Sequence, residues 1–143
     1  MYRKRRRRIT ADVLHLLHDR QVELFGGLPG VRDENAILSA VDRPRSRWHY
    51  GRVRDVRALA APYLCALARK QGFTDGNTRT ALAAVLVFLD LNGKQLEKAL
   101  DEVYSITMRA ATGELDADAV TAWFRGDELP PKKRKRSSRS RIR

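Results

Sequence analysis

Apolar residues recur at helical spacing along most of the chain, and the polar residues between them mark where each helix should start and stop. Val13, Leu14, Leu17 and Leu24 predict a first helix, with Thr10 as its N-cap, Asp12 in its first turn and Gly26-Gly27 as its end. "GGLPG" reads as a turn, after which Asp33 caps a short second helix through Ala36, Ile37, Ala40 and Val41 that Pro44 closes. "RPRSRWHYGRVR" has no clear period and reads as an exposed loop or flap, its only strand signal a short hairpin pattern near residues 46 to 54. "DVRALAAPYLCALARK" predicts a helix capped by Asp55, in which Pro62 should introduce a kink or mark a later start. The segment from about Asn77 to Asn92 holds "ALAAVLVFLDL", apolar on every side except Asp90, which predicts a central helix stopped by Gly93. Leu96, Leu100, Val103 and Ile106 or Thr107 place an amphipathic helix before Gly113, and Asp116 caps a last one carrying Val120, Trp123 and Phe124. The expected fold class is all-α, a helical bundle around one buried helix.

Charge divides the chain into three parts. The whole carries +12, yet residues 1 to 8 hold six Lys/Arg and residues 130 to 143 hold eight, with no acid in either, which leaves −2 on residues 9 to 129. The expected organisation is a near-neutral domain at 9 to 129 between two basic disordered tails, 1 to 8 and 130 to 143. Fourteen cations on tails without interleaved aromatics suit salt-dependent, sequence-independent contact with nucleic acid; solvated, solubilising ends are the alternative. A single cysteine, Cys65, excludes an internal disulfide framework and a Cys-rich zinc cluster. No stretch of about 18 uncharged apolar residues exists to span a bilayer, so a cytoplasmic protein with no membrane association is expected.

The chemistry concentrates in "KQGFTDGNTRTALAAVLVFLDLNG", Lys70 to Gly93, where a glycine-bearing polar loop feeds an apolar helix. Glycine lets the backbone approach a ligand, and the helix start exposes unpaired N–H groups and a positive dipole end, a geometry that binds anions. Arg79 in the first turn offers a planar fork for phosphate, and Asp75 could hold a Mg²⁺ beside phosphate oxygens. No GxxxxGK[ST] is present. On spacing alone the alternative stands equally: "TDGN" is a turn, Asn77 or Asp75 caps a core helix, and Arg79 is solvated.

The string "GFTDGNTRTA" resembles the HPFxDGNKRTA signature of the Fic/Doc superfamily, in its death-on-curing (Doc) branch. "HDRQVELFGGLPGVRDENAILSAVDRPR" at residues 18 to 45 is similar to the branch's first helix, glycine-rich turn and second helix, and "ALAAVLVFLDLNG" to its central helix. The resemblance runs over roughly residues 9 to 125. It implies a Fic/Doc-like bundle with a flap and a toxin of a toxin-antitoxin system. The implied activity is ATP- and Mg²⁺-dependent transfer of phosphate, or AMP, to a hydroxyl of a translation factor such as elongation factor Tu, with a small antitoxin as partner. Residue by residue, it makes Phe73 the buried anchor and Asp75 the acidic metal or phosphate-organising position. Gly76, Asn77, Thr78 and Arg79 become the phosphate-binding set. Arg47, Trp48, His49 and Tyr50 fall, by position only, where the family has its flap.

The chain departs from that pattern at Gln71, in place of the family's catalytic histidine, at Gly72 in place of proline and at Thr78 in place of lysine. A glutamine amide takes up no proton near neutral pH, and a general base is typically worth about 10² to 10⁴ in rate. Thr78 removes a cation from beside the phosphates but keeps its N–H and a hydroxyl. Two functions follow: a Doc-like transferase whose activity is weakened or lost, or a catalytically inactive binding protein on the same fold whose tails contact nucleic acid or ribosomes. Gln71 could still orient the acceptor hydroxyl, because phosphoryl transfer depends mainly on positioning and charge. His49 is the candidate stand-in base, whereas His18 reads as a packing or hydrogen-bonding residue and His15 and His18 lack the further ligands of a metal site.

Overall fold

The computed structural model describes residues 8 to 49 and 55 to 129, the side chains of 45 to 49 excepted, and within them the chain is six helices and no strand. The first two, α1 (Ala11–Phe25) and α2 (Glu34–His49), are joined by the glycine-rich turn. Thr10 Oγ1 accepts the Val13 N–H at 3.3 Å to start α1, and Asp33 Oδ1 accepts the Ala36 N–H at 3.1 Å to start α2. In α1 the buried line is Leu14 and His18, with Leu17 half-buried, while Val13 and Leu24 face outward. An imidazole thus takes the place that an apolar pattern assigns to leucine.

Pro44 does not end α2, which runs on to His49. Its ring is buried in line with Ile37 and Ala40 on one face, and this packing offsets the lost hydrogen bond to the Ala40 carbonyl. The backbone of 46 to 49 is therefore helical rather than a loop or hairpin, and 50 to 54 lie outside the described residues.

The next helix, α3 (Val56–Lys70), starts at Asp55, whose Oδ1 accepts the Arg57 N–H at 2.9 Å, and continues through Pro62. Every residue from Leu59 to Ala68 is buried. This corrects the expectation for the centre of the fold: α3, not the more apolar α4 (Asn77–Leu91), is enclosed on all sides. Alanines at 58, 60, 61, 66 and 68 let α2, α4 and the two later helices, α5 (Leu100–Ala111) and α6 (Ala117–Phe124), approach closely, so a helix of modest hydrophobicity fills the centre. In α4 the buried stripe is Thr80, Ala81, Ala84, Val85, Phe88 and Leu89, and the opposite side, with Leu82, Leu86 and Val87, is half-buried.

The fifth helix, α5 (Leu100–Ala111), begins later than its amphipathic pattern suggests. Lys94 N–H closes onto the Leu89 carbonyl at 2.9 Å, and residues 94 to 99 carry the chain across to α5, leaving Leu100 64% exposed. Arg69 donates to the Ala110 and Leu115 carbonyls at 2.7 and 2.6 Å, tying α3 to the end of α5. The last helix, α6 (Ala117–Phe124), is capped by Asp116 as expected and buries Val120, Trp123 and Phe124. Arg125 pairs with Asp55 at 2.6 Å and so joins the end of α6 to the start of α3. No helix among the described residues is long and apolar enough to cross a membrane.

Phe88 is 1% exposed and packs edge-on against Tyr63 of α3. Phe88→Ala should cost about 3–5 kcal/mol by urea denaturation, whereas Leu100→Ala should stay within about 0.5 kcal/mol of the parent.

Candidate active site at the junction of α3 and α4

The residues between α3 and α4 are held against the α1–α2 turn by backbone hydrogen bonds. The Gly72 carbonyl accepts the N–H groups of Arg32 and Asp33 at 2.8 and 2.9 Å, and Thr74 N–H reaches the Gly30 carbonyl at 3.1 Å. Phe73, 3% exposed, makes an isolated bridge to Val31. Its ring stacks on His18 at 3.9 Å and 7°, with His15 edge-on at 5.5 Å. His18 Nε2 donates to the Asp75 carbonyl at 2.8 Å, so this histidine has the packing and hydrogen-bonding role expected of it. His15 is occupied elsewhere, against Glu34 Oε1 at 3.0 Å.

Gln71 ends α3 in the left-handed region, φ 48 and ψ 52, the only non-glycine residue with positive φ among the described residues. Its side chain is exposed. At Gly72 there is no room for a side chain: a Cβ would lie 2.5 Å from Ile37 Cγ1 and 3.2 Å from the Asp33 carbonyl. The Cβ of a proline at 72 would meet the same obstacle. Gly72 is thus fitted to Ile37, directly after the left-handed Gln71.

The two polar residues best suited to cap α4 are engaged elsewhere. Asn77 accepts the Phe73 N–H on Oδ1 at 3.0 Å and donates from Nδ2 to the Phe73 carbonyl at 2.9 Å. Asp75 accepts the Leu28 N–H on Oδ2 at 3.1 Å and the Gly76 N–H on Oδ1 at 2.8 Å. The backbone N–H groups of Leu28 and Gly76 hold the Asp75 carboxyl below its usual range. The N-cap is Gly76, at φ 73, with no side-chain cap hydrogen bond, so the alternative in which Asn77 or Asp75 caps the helix does not hold. The first backbone bond of α4 runs from Thr80 N–H to the Gly76 carbonyl at 3.0 Å, which places the N–H groups of Asn77, Thr78 and Arg79 ahead of the helical ladder. A helix start of this kind is suited to an anion.

Arg79 is half-buried rather than solvated. Its guanidinium carbon lies 4.2 Å from the centroid of Phe25 and 5.1 Å from that of Tyr104, and among the described residues its N–H donors meet no hydrogen-bond acceptor or ion-pair partner. Asp75, Gly76, Asn77, Thr78 and Arg79 thus surround one helix start, and Gln71 stands at the other end of the same loop. Of the flap set, Arg47, Trp48 and His49 have helical backbone in α2 with side chains outside the described residues, and Tyr50 lies outside them altogether. Sequence reasoning passed over Phe25 and Tyr104, because nothing in the local pattern of α1 or α5 points to Arg79.

A family model described as the Fic/DOC family matches residues 8–89. The chain is 37% identical over 119 residues to the "Protein kinase doc" of Escherichia phage P1, which covers 83% of this chain and 94% of that protein. It is also 37% identical over 108 residues to the "Toxin Doc" of Mycolicibacterium smegmatis, which covers 71% of this chain and 81% of that protein.

Two outcomes follow from this geometry. Gly72→Ala should destabilise the fold by about 1–3 kcal/mol through overpacking against Ile37. Ile37→Ala in the same chain should relieve part of that, so a double-mutant cycle in urea should show the pair costing less than the sum of the singles by about 1 kcal/mol. The depressed Asp75 carboxyl stabilises the fold above the unfolded carboxylate value, about 3.9, and this contribution is lost as pH falls through the lower folded value. Asp75→Asn should accordingly lower the urea midpoint at pH 7 and narrow its gap from the parent as pH drops towards 2.

Proposed function

The chain belongs to the Fic/Doc family, in its Doc branch, and we propose that it is a toxin-family protein that binds ATP at the start of α4 and transfers phosphate to a protein hydroxyl slowly. One observation carries the reading: α4 begins without a side-chain cap, beside a guanidinium whose donors have no partner among the described residues. Both features suit phosphate oxygens. The phage relative's name, a protein kinase, favours phosphate over AMP as the group transferred.

In the transfer, the acceptor oxygen forms its bond to the terminal phosphorus as the bond to the bridging oxygen breaks, ADP leaves, and the hydroxyl proton must go to a base. The N–H groups of Asn77, Thr78 and Arg79 and the Arg79 fork would hold the phosphates and meet the charge that builds on them. The Gln71 amide can orient the hydroxyl but cannot accept its proton, so that proton passes to water and the reaction is slow. Asp75 suits Mg²⁺: it is exposed and anionic, and Mg²⁺ takes one or two carboxylates beside phosphate oxygens and keeps several waters. Such an ion would neutralise phosphate charge. The target would be a translation factor such as elongation factor Tu, and a small antitoxin would silence the protein, as its relationship to the Doc branch suggests.

A second reading keeps the binding and drops the chemistry. It is favoured by the absence of a basic side chain at position 71 and by the gathering of fourteen cations at the two chain ends, which would contact nucleic acid or ribosomes.

Arg79→Ala should remove most ATP-Mg²⁺ binding measured by calorimetry. Gln71→His should leave that binding nearly unchanged and raise transfer of labelled phosphate to host protein by about 10² or more, since histidine tolerates the left-handed backbone found there. Binding in the parent with no transfer from Gln71→His would decide for the second reading.

A further inference from the structure

The proposed phosphate fork raises the question of what holds it in place. A long side chain that waits for an anion has to be ordered beforehand, or its lost rotamer freedom weakens binding. Most ordered arginines are fixed by carboxylates or carbonyls, as Arg125 is by Asp55 and Arg69 by two carbonyls here, and those bonds occupy the donors an anion would use. Arg79 is held differently. Its guanidinium lies over two rings, Phe25 at 4.2 Å and Tyr104 at 5.1 Å, both within cation–π range, and no carboxylate or carbonyl among the described residues takes its N–H groups.

The rings come from places that core packing does not explain. Phe25 is the last residue of α1 and is 57% exposed, and Tyr104 lies half-buried on α5. Both helices pack against α4, so a contact that joins three elements is made through one cation. A ring face attracts the charge without consuming a hydrogen-bond donor, which leaves the fork available in the helix-start region.

We propose that Phe25 and Tyr104 are positioning residues that hold the Arg79 guanidinium ready for a phosphate group while leaving its donors free. This rests on the reading of Arg79 as a phosphate ligand. It assigns a binding function to one exposed aromatic that would otherwise be an unexplained surface residue, and it makes the affinity for phosphates depend on α1 and α5 as well as on the motif.

The test uses the full-length chain with ATP-Mg²⁺ and, separately, inorganic pyrophosphate as probes, in calorimetry. Phe25→Leu and Tyr104→Leu should each weaken binding about two- to five-fold, the size of an exposed cation–π contact, and together about five- to thirty-fold. Tyr104→Phe, which keeps the ring face and drops only the hydroxyl, should bind as the parent does. A second readout reports the clamp directly: the Arg79 Nε–H resonance, assigned by its loss in Arg79→Ala, should be displaced by ring currents in the parent and in Tyr104→Phe and should move towards the ordinary arginine position in the two leucine variants. Leucine variants that bind both probes as tightly as the parent, while Arg79→Ala has lost binding, would overturn the clamp and leave the phosphate site standing. Undiminished binding by Arg79→Ala, or a parent that binds neither probe, would overturn the phosphate site and the clamp with it.

Discussion

The Gly72 carbonyl, shared between the N–H groups of Arg32 and Asp33, is the contact on which the site depends. It joins the end of the buried helix α3 to the start of α2, and it requires two chain segments to meet at backbone distance. Only a residue without a Cβ permits that approach beside Ile37. From there the loop is carried along the α1–α2 turn: Phe73 stacks into the α1 surface against His18, Thr74 bonds to Gly30, and Asp75 reaches Leu28. A loop tied at four successive residues has little freedom, so the helix start it delivers is presented in one orientation.

The same ties explain the electrostatics. A helix in a bundle usually begins on a side chain that accepts from its first free N–H groups, as Thr10, Asp33, Asp55 and Asp116 do here. At α4 the two candidates for that role are held in place by the loop's own backbone, Asn77 by Phe73 and Asp75 by Leu28 and Gly76. The first free N–H groups of α4 are left without a side-chain acceptor, and Arg79 adds a full charge beside them. What the proposed function requires for holding phosphate is thereby in place, while Gln71, in a left-handed turn, has no group that moves a proton.

What could be read from the chain alone was local. Helix caps at Thr10, Asp33, Asp55 and Asp116 are short-range signals, because a side-chain oxygen and an N–H two or three residues away meet whatever the rest of the chain does, and all four stand as expected. The all-α class and the Doc-branch relationship were legible for similar reasons, from helical periodicity and one contiguous motif. Pro44 was misread because a missing backbone bond is a local loss, whereas the burial of its ring along the line of Ile37 and Ala40 is a tertiary gain that no window of sequence contains. Leu100 was misread in the opposite sense: its spacing fitted the stripe, but the crossing from α4 to α5 delayed the helix and left it in solvent.

The sequence by itself determined which residues can carry charge, accept protons, cap a helix or tolerate a left-handed backbone, and hence that position 71 is no base and that an anion-binding start at 77 to 79 was available. The tertiary structure decided which of those capacities are in use. It chose α3 for the centre because small alanines permit close approach from several sides, a property of packing rather than of hydrophobicity. It took Asp75 and Asn77 away from capping because the loop needed them more closely, and it brought Phe25 and Tyr104, 54 and 25 residues from Arg79 along the chain, to the same guanidinium. Contacts at such separations follow from how helices pack, and helix packing is set by the sum of many weak side-chain contacts that no single stretch of sequence holds.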